Sequence, residues 1–421
     1  MVLPARQAHV SQRSQTYEQD HGGAATSPEQ YETRGPALVL PHGTALLVVM
    51  LTYWTVDIVS PALPSIKADL SLSAAGAGLV FSMMFFGRLL GNAPATYLLG
   101  RSGAPVTALV GGLLLAGGSV LAAVSPLSEV LLVARIVQGA GVSLIVNAGL
   151  RSILKSQPAE GAAMTYFGLA ATVGGIFGLQ SGGALTDALG WRTIFGWSSV
   201  LAIAVAAIAL VSIRHGRNTF AGVTGHEAAA PLIPESAAGL AAPLILNFVV
   251  FANYSIWVVL PLYVERSFGA SAEITANLLM VITVVHLVAA IPVARLIRTA
   301  GSDRVLVGGL FVALLGTGLV LAAPGLVWMT LPLLLYGVGQ IAAVNAGGDI
   351  VLQRGGGSSR AIGLLRLSSD FGLVVGPIVA GAMQDAFGYG APFAALPVLT
   401  ACSALAAVYL LLIRPRTQAL S

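Results

Sequence analysis

Charge is what this chain has least of. Only 9% of its 421 residues are Asp, Glu, Lys or Arg, against roughly a quarter in soluble domains. That figure excludes one large soluble core with a wetted surface, and a 56% hydrophobic content with a mean hydropathy of +0.86 excludes it again. Cysteine is nearly absent. Cys402 stands alone inside an apolar run, so neither a disulfide framework nor a thiolate zinc site is possible. No HExxH, GxSxG or P-loop pattern occurs, which leaves no enzyme constellation and no ATP site of its own. The run GVGQIAAVNAGG (337–348) follows no strand pattern and lies within an apolar span, so it is not a dinucleotide loop. The formal charge of +4 is scattered in short runs rather than laid out as a basic stripe with aromatics, which excludes a nucleic-acid partner. Neither a cofactor nor a metal is implied.

What is present is apolar length. From Gly43 onward, apolar segments of about 20 residues follow one another, each enough to cross a hydrocarbon layer of about 30 Å. Twelve spans are expected: 43–64, 74–98, 104–124, 129–151, 163–186, 193–213, 238–263, 273–294, 304–323, 327–352, 361–384 and 391–413. They fall into six-helix halves, 39–213 and 238–413, joined by the polar, Gly- and Pro-containing linker 214–237. The chain reads as an all-α membrane protein with the lipid bilayer as its solvent. Residues 1–38 lack the layout of a signal peptide and are expected to be a disordered cytoplasmic tail, with a second tail over 414–421. Of the 21 Lys and Arg residues, fifteen fall on the side of the two termini, three on the other side and three inside spans. The positive-inside rule then places both termini in the cytoplasm and the protein across the cell membrane.

The chain also repeats itself. At an offset of 198, Gln138–Leu154 lies over Tyr336–Leu352, with Gly139 on Gly337, Gly141 on Gly339 and Asn147 on Asn345. At the same offset GALTDALGWRTIF (183–195) lies over GAMQDAFGYGAPF (381–393), matching Asp187 to Asp385, while Gly174 and Gly178 lie over Gly372 and Gly376. Six spans separate the copies, so both keep one orientation, the parallel-repeat arrangement that places a substrate site near the midplane between halves.

The charges at depth are the candidates for chemistry, because an ionisable group in a span is expensive and needs a partner. Asp57 in the first span and Arg135 in the fourth each lie about 9 Å from the outer face at 1.5 Å per residue. Equal depth allows a pair: either a proton site whose affinity Arg135 tunes, or a permanent tie between two helices. Arg88 in the second span and Asp370 in the eleventh lie nearer the inner face. Asp370 has two readings from the residues alone, a local pair with Arg366 four residues away or direct protonation. His286 in the eighth span is a proton site or a packing residue. Asn147, Gln180, Asn253, Gln340 and Asn345, with Gln138, either line a cavity or hold helices together, since uncharged polar groups at depth do both. Tyr53, Trp54, Tyr254 and Trp257, with Phe177, either form a greasy wall or pack against lipid.

These features resemble the major facilitator superfamily, and within it the twelve-span drug:proton antiporters. RIVQGAG (135–141) is similar to the fourth-helix motif RxxQGxG, carrying over to Arg135, Gln138, Gly139 and Gly141. DIVSPALPSIKADL (57–70) is similar to the family's first-helix ending, and GALTDALGWRTIF (183–195), with Gly182 before it, to its fifth-to-sixth connection. The loop TYLLGRSGA (96–104) keeps Arg101 and Gly103 of the motif after the second helix, but has Gly100 and Ala104 where an acid and a second base are usual. The fifth-helix antiporter motif stands as GLQSGG (178–183), with Leu179 in the proline position. The resemblance implies two pseudo-symmetric halves that rock about a central site. In that motion the second and eleventh helices face each other, which brings Arg88 towards Asp370 as a clamp, a third reading for that carboxylate. Gly178, Gly182, Gly376, Pro377 and Arg366 join the conformational set.

The expected function is a monomeric, proton-coupled exporter of small amphipathic molecules acting by alternating access. A nutrient symporter on the same fold is the first alternative, and a non-transporting sensor or scaffold the second.

Overall fold

The computed structural model describes residues 40–156, 160–215, 237–356 and 359–413. The expected tails, and the linker except at its two ends, lie outside the described residues. In hydrocarbon every backbone N–H and C=O must be satisfied within the chain, so long apolar runs can only be helices. Thirteen helices result, with no strand among the described residues. In order they are α1 His42–Asp57, α2 Leu63–Asp69, α3 Ala74–Ala123, α4 Ser128–Ser156, α5 Glu160–Leu189, α6 Arg192–His215 and α7 Ala237–Ala252. They continue with α8 Ile256–Phe268, α9 Ala272–Ala300, α10 Ser302–Leu319, α11 Thr330–Arg354, α12 Ser359–Phe387 and α13 Ala391–Ile413. Every expected span falls on these helices, and among the described residues nine stretches are long and apolar enough to cross a membrane.

Local chemistry explains the differences from the expected boundaries. Pro61 and Pro64 interrupt the first span with a 3-10 turn, Ser60–Ala62, between α1 and α2. A similar turn, Asn253–Ser255, divides the seventh span into α7 and α8. The second and third spans join as α3 across a kink at Gly103, whose φ of 79° only glycine adopts without strain.

The repeat seen in the sequence recurs in the packing. Gly174 and Gly178 of α5 lie so close to α1 that a Cβ would overlap the carbonyls of Met50 and Trp54. Gly372 and Gly376 of α12 meet Phe248 and Ala252 of α7 in the same way. Each of those partners is again 198 positions from its counterpart. Gly141 faces Gly111 and Leu115, while Gly339 faces Gly309 and Ala313, at the same offset. Gly182 abuts the Ile58 carbonyl and Gly139 that of Met84. Contacts this close let small residues bring helix backbones together where lipid supplies no hydrophobic drive.

The halves α1–α6 and α7–α13 meet along two seams. On the first, α3 runs against α12: Ala74 meets Gly381, Gly78 meets the Pro377 carbonyl, and Ser82 donates to the Leu373 carbonyl at 3.4 Å. On the second, α5 runs against α9: Gly183 meets Ala272 and Ala276, and Gln180 donates to Asn277 at 3.0 Å. These contacts lie towards the end of the bundle where α5 and α12 finish and α3 and α9 begin, here the far end.

A matched pair of caps seals that end. Ser73 and Ser271 cap their own helices, accepting from the N–H groups of Gly76 at 3.0 Å and Ile274 at 3.3 Å. Asp385 of α12 then accepts from the N–H groups of Ala74 (2.7 Å) and Ala75 (2.9 Å). Asp187 of α5 accepts from those of Ala272 (3.0 Å) and Glu273 (2.9 Å). Each half thus places a carboxylate on the positive N-terminus of a helix in the other half, where both charge and orphan donors favour it.

Candidate substrate and proton site

Below the far-end caps, four charges meet between the halves. Arg88 of α3 donates to the carboxylate of Asp370 of α12, from Nε at 3.0 Å and again from Nη2. The side chains are 20% and 6% exposed, so the pair is largely withdrawn from solvent. Of the three readings left open for Asp370, the contact with Arg88 is the one observed. Arg366 makes no ion pair with Asp370 among the described residues and donates from Nη1 to the side-chain oxygen of Asn147 on α4, at 2.8 Å. That second bond between halves gives Arg366 and Asn147 their place in the site. Asn147 in turn donates to the Ser143 carbonyl at 2.8 Å and to Asn92 at 3.4 Å, and Asn92 also accepts from Ser143 at 2.8 Å.

Asp57 ends α1 half-buried, with no hydrogen bond or ion pair among the described residues. Gly175 is packed against its carboxylate and lies beside Thr283 of α9, so Asp57 faces the other half. Arg88, Tyr53 and Tyr254 are within electrostatic reach of it. Tyr254 stacks on Phe251 with ring centroids 5.4 Å apart and lies 6.4 Å from the ring of His286. The Nε2 of His286 is buried without a hydrogen-bond partner among the described residues. Tyr53 meets Phe167 edge-on at 6.1 Å and is within reach of Arg88, Asp57, Arg366 and Asp370.

The expected pairing of Asp57 with Arg135 is not found. Arg135 is buried inside the first half, donating to the Val80 carbonyl at 3.1 Å and to Gln138 at 2.7 Å, with its guanidinium over the ring of Phe195. Equal depth was the reason for the expectation, but depth does not fix which way a side chain leaves its helix. Several cavity candidates make their bonds within one half. Gln138 is occupied by Arg135 and by Ser119 at 2.9 Å. Gln340 donates to the Val250 carbonyl at 2.8 Å, and Asn253 to Thr400 at 3.3 Å, both within the second half. Trp54 donates to Ser181 at 2.7 Å and stacks on Phe177 at 5.0 Å, within the first half. Trp257 is buried in the core. Asn345, the counterpart of Asn147, is half-buried on α11. Gln180 and Asn147 do bridge the halves.

Arg101 is exposed and donates to Tyr97 at 2.8 Å, beside the kink at Gly103. Sequence reasoning missed Asn92, Ser143 and Thr283. It also missed Ser73 and Ser271, although their spacing of 198 was there to be read.

The family model of the Major Facilitator Superfamily matches residues 45–356 and 244–421. The MFS-type transporter EfpA of Mycobacterium tuberculosis is 33% identical over 187 residues, covering 42% of this chain and 33% of that protein. The cephamycin export protein CmcT of Amycolatopsis lactamdurans is 32% identical over 177 residues, covering 38% and 33%. The chain thus spans about a third of the length of the curated relatives it matches. Among solved structures, a bacterial homologue of the human lysosomal transporter Spinster, in an inward-facing and occupied conformation, superposes with a TM-score of 0.71. It shares 16% identity, over 87% of this chain and 95% of that one. The nucleoside transporter NupG superposes with a TM-score of 0.69 at 13% identity, over 87% and 99%. At such identities the likeness is one of fold.

Proposed function

The chain belongs to the Major Facilitator Superfamily, and on that footing we propose that it exports small amphipathic organic molecules in exchange for protons. Family and fold are those of a membrane transporter rather than an enzyme. Export is supported by the likeness to CmcT, whose name describes an export protein. The observation that carries the coupling is Asp57: a half-buried carboxylate facing the other half, without a bonded partner among the described residues and within electrostatic reach of Arg88.

Arg88 has two carboxylates to answer to. When Asp57 is ionised it draws on Arg88 and weakens the tie to Asp370 in the other half. Once Asp57 is protonated, Arg88 belongs to Asp370 alone and the α3–α12 seam tightens. The same two helices meet on the far side of this pair, where Ala74 meets Gly381 and Gly78 meets Pro377. So although the depth count alone set the pair nearer the inner face, proton uptake favours the state closed at the far end and proton loss favours its opening. With the termini in the cytoplasm, as the distribution of basic residues supports, the far end is the outer one. A proton taken from outside then closes the outer gate and is released inwards, and the substrate occupies the site on the return.

Transport into or out of proteoliposomes under an imposed pH gradient, with a panel of dyes and antibiotics, tests this reading. The wild type should move substrate against the proton flow. Asp57→Asn should abolish that uphill movement while downhill exchange persists. Unchanged uphill transport by Asp57→Asn would remove Asp57 from the mechanism, and co-accumulation of substrate with protons would make the protein a symporter.

A further inference from the structure

We propose that the space between the halves recognises a carboxylate on the transported molecule, with Arg366 as its counter-ion. This rests on reading that space as the substrate site. At its depth the described helices carry three guanidinium groups, Arg88, Arg135 and Arg366, against two carboxylates, Asp57 and Asp370. Arg88 is matched by Asp370. Arg135 is sealed inside the first half by Val80, Gln138 and Phe195. Between the halves that leaves Arg366 and Asp57, one charge of each sign, and Arg366 bonds to no carboxylate among the described residues. Its own helix offers it Asp370 one turn away, a spacing at which opposite charges commonly pair. Its bond goes instead to a neutral amide oxygen on the opposite half, Asn147.

A guanidinium at that depth with no carboxylate of its own is costly, and an anion supplied from outside relieves the cost. Its planar fork suits a carboxylate, which accepts two parallel N–H bonds. Tyr53 lies within electrostatic reach of Arg366, and its hydroxyl is a further donor on that side. Phe251 and Tyr254, on α7 and the turn after it, are half-buried rings stacked at 5.4 Å, and Tyr254 is within electrostatic reach of Tyr53 and Asp57. The ligand that fits these features is a planar or amphipathic monoanion. No bond is made or broken: the carboxylate displaces the Asn147 oxygen from Arg366 and leaves it when the site opens.

Equilibrium binding to the purified full-length protein in detergent tests this without any gradient. The probe is tritiated naphthaleneacetate, with its methyl ester and naphthylethylamine as competitors of matched ring and opposite or absent charge. The wild type should hold the acid about tenfold or more above the ester and the amine, the scale of one charge-assisted bond. Arg366→Gln should erase that preference and leave ester binding in place, while Arg366→Lys should keep part of it. Asn147→Asp supplies Arg366 with an internal counter-ion and should weaken acid binding alone, with the guanidinium still present. Equal affinity for acid and ester in the wild type, or equal losses of both in Arg366→Gln and Asn147→Asp, would overturn the assignment. Gradient-driven export of the ester with no acid preference would sink the anion site and leave export standing. Selective acid binding without gradient-driven movement would do the reverse.

Discussion

At the residue scale, Arg135 and Asp57 show how far a sequence carries. Counting residues from a helix end gives only a position along the helix axis. It does not give azimuth, and Arg135 leaves α4 towards α3 rather than towards Asp57. Arg88 and Asp370 were legible because the pairing of the second and eleventh helices supplied the missing direction. Polar residues at depth were visible as a set but not separable: Gln138 and Gln340 tie helices inside a half, while Gln180 and Asn147 bridge the two. Both uses satisfy the same physical demand, that no polar group be left alone in hydrocarbon. Because Arg135 is built into the first half, its removal should cost stability and not coupling. Arg135→Met strands the Gln138 oxygen and should cost about 1–3 kcal/mol, the usual penalty for an unsatisfied buried polar group. The checks are a lowered melting temperature in detergent and pH-driven transport that persists per folded molecule. A normal melting temperature with lost coupling would return Arg135 to the proton pathway.

At the scale of elements, the offset of 198 proved to be a statement about packing. It predicted that α5 and α12 are counterparts, and the glycines facing α1 and α7 obey it to the residue. The pairing of Asp187 with Asp385 was visible in the sequence, but its purpose was not. Nothing in a one-dimensional repeat says that the last turn of α5 sits over the first turn of α9. The caps make the far end a latch. Asp187→Ala and Asp385→Ala should each release two N–H bonds to a carboxylate at a helix start. After solvent screening that amounts to about 1–2 kcal/mol, or about a tenfold shift towards the state open at that end. Nitroxide labels at Leu189 and Phe387 report on it, since both side chains are exposed, at 69% and 78%, where α5 and α12 end. The exposed Cys402 must first be changed to Ser. Each single variant should enlarge the long-distance population and the double variant should enlarge it further. Unchanged distances in the double variant would mean that the glycine seams alone hold the end shut.

On the scale of the whole molecule, the bilayer does most of the specifying. Low charge and repeated apolar spans left an all-helical bundle as the only way to satisfy the backbone, and the half-length echo turned that bundle into two related halves. The substrate was not legible in the same way, because it depends on a few side-chain directions within a space that opens and closes. In the proposed mechanism those directions link one proton to one gate through Arg88, which lies within electrostatic reach of both Asp57 and Asp370. The distance between labels at Leu189 and Phe387, followed as the pH is varied, reads that link directly. Raising the pH ionises Asp57, pulls on Arg88 and should move the wild type towards long distances at the far end. Asp57→Asn, held permanently neutral, should keep the short distance throughout. An equal pH response in the Asn variant would assign the titrating group elsewhere and break the connection between Asp57 and the gate.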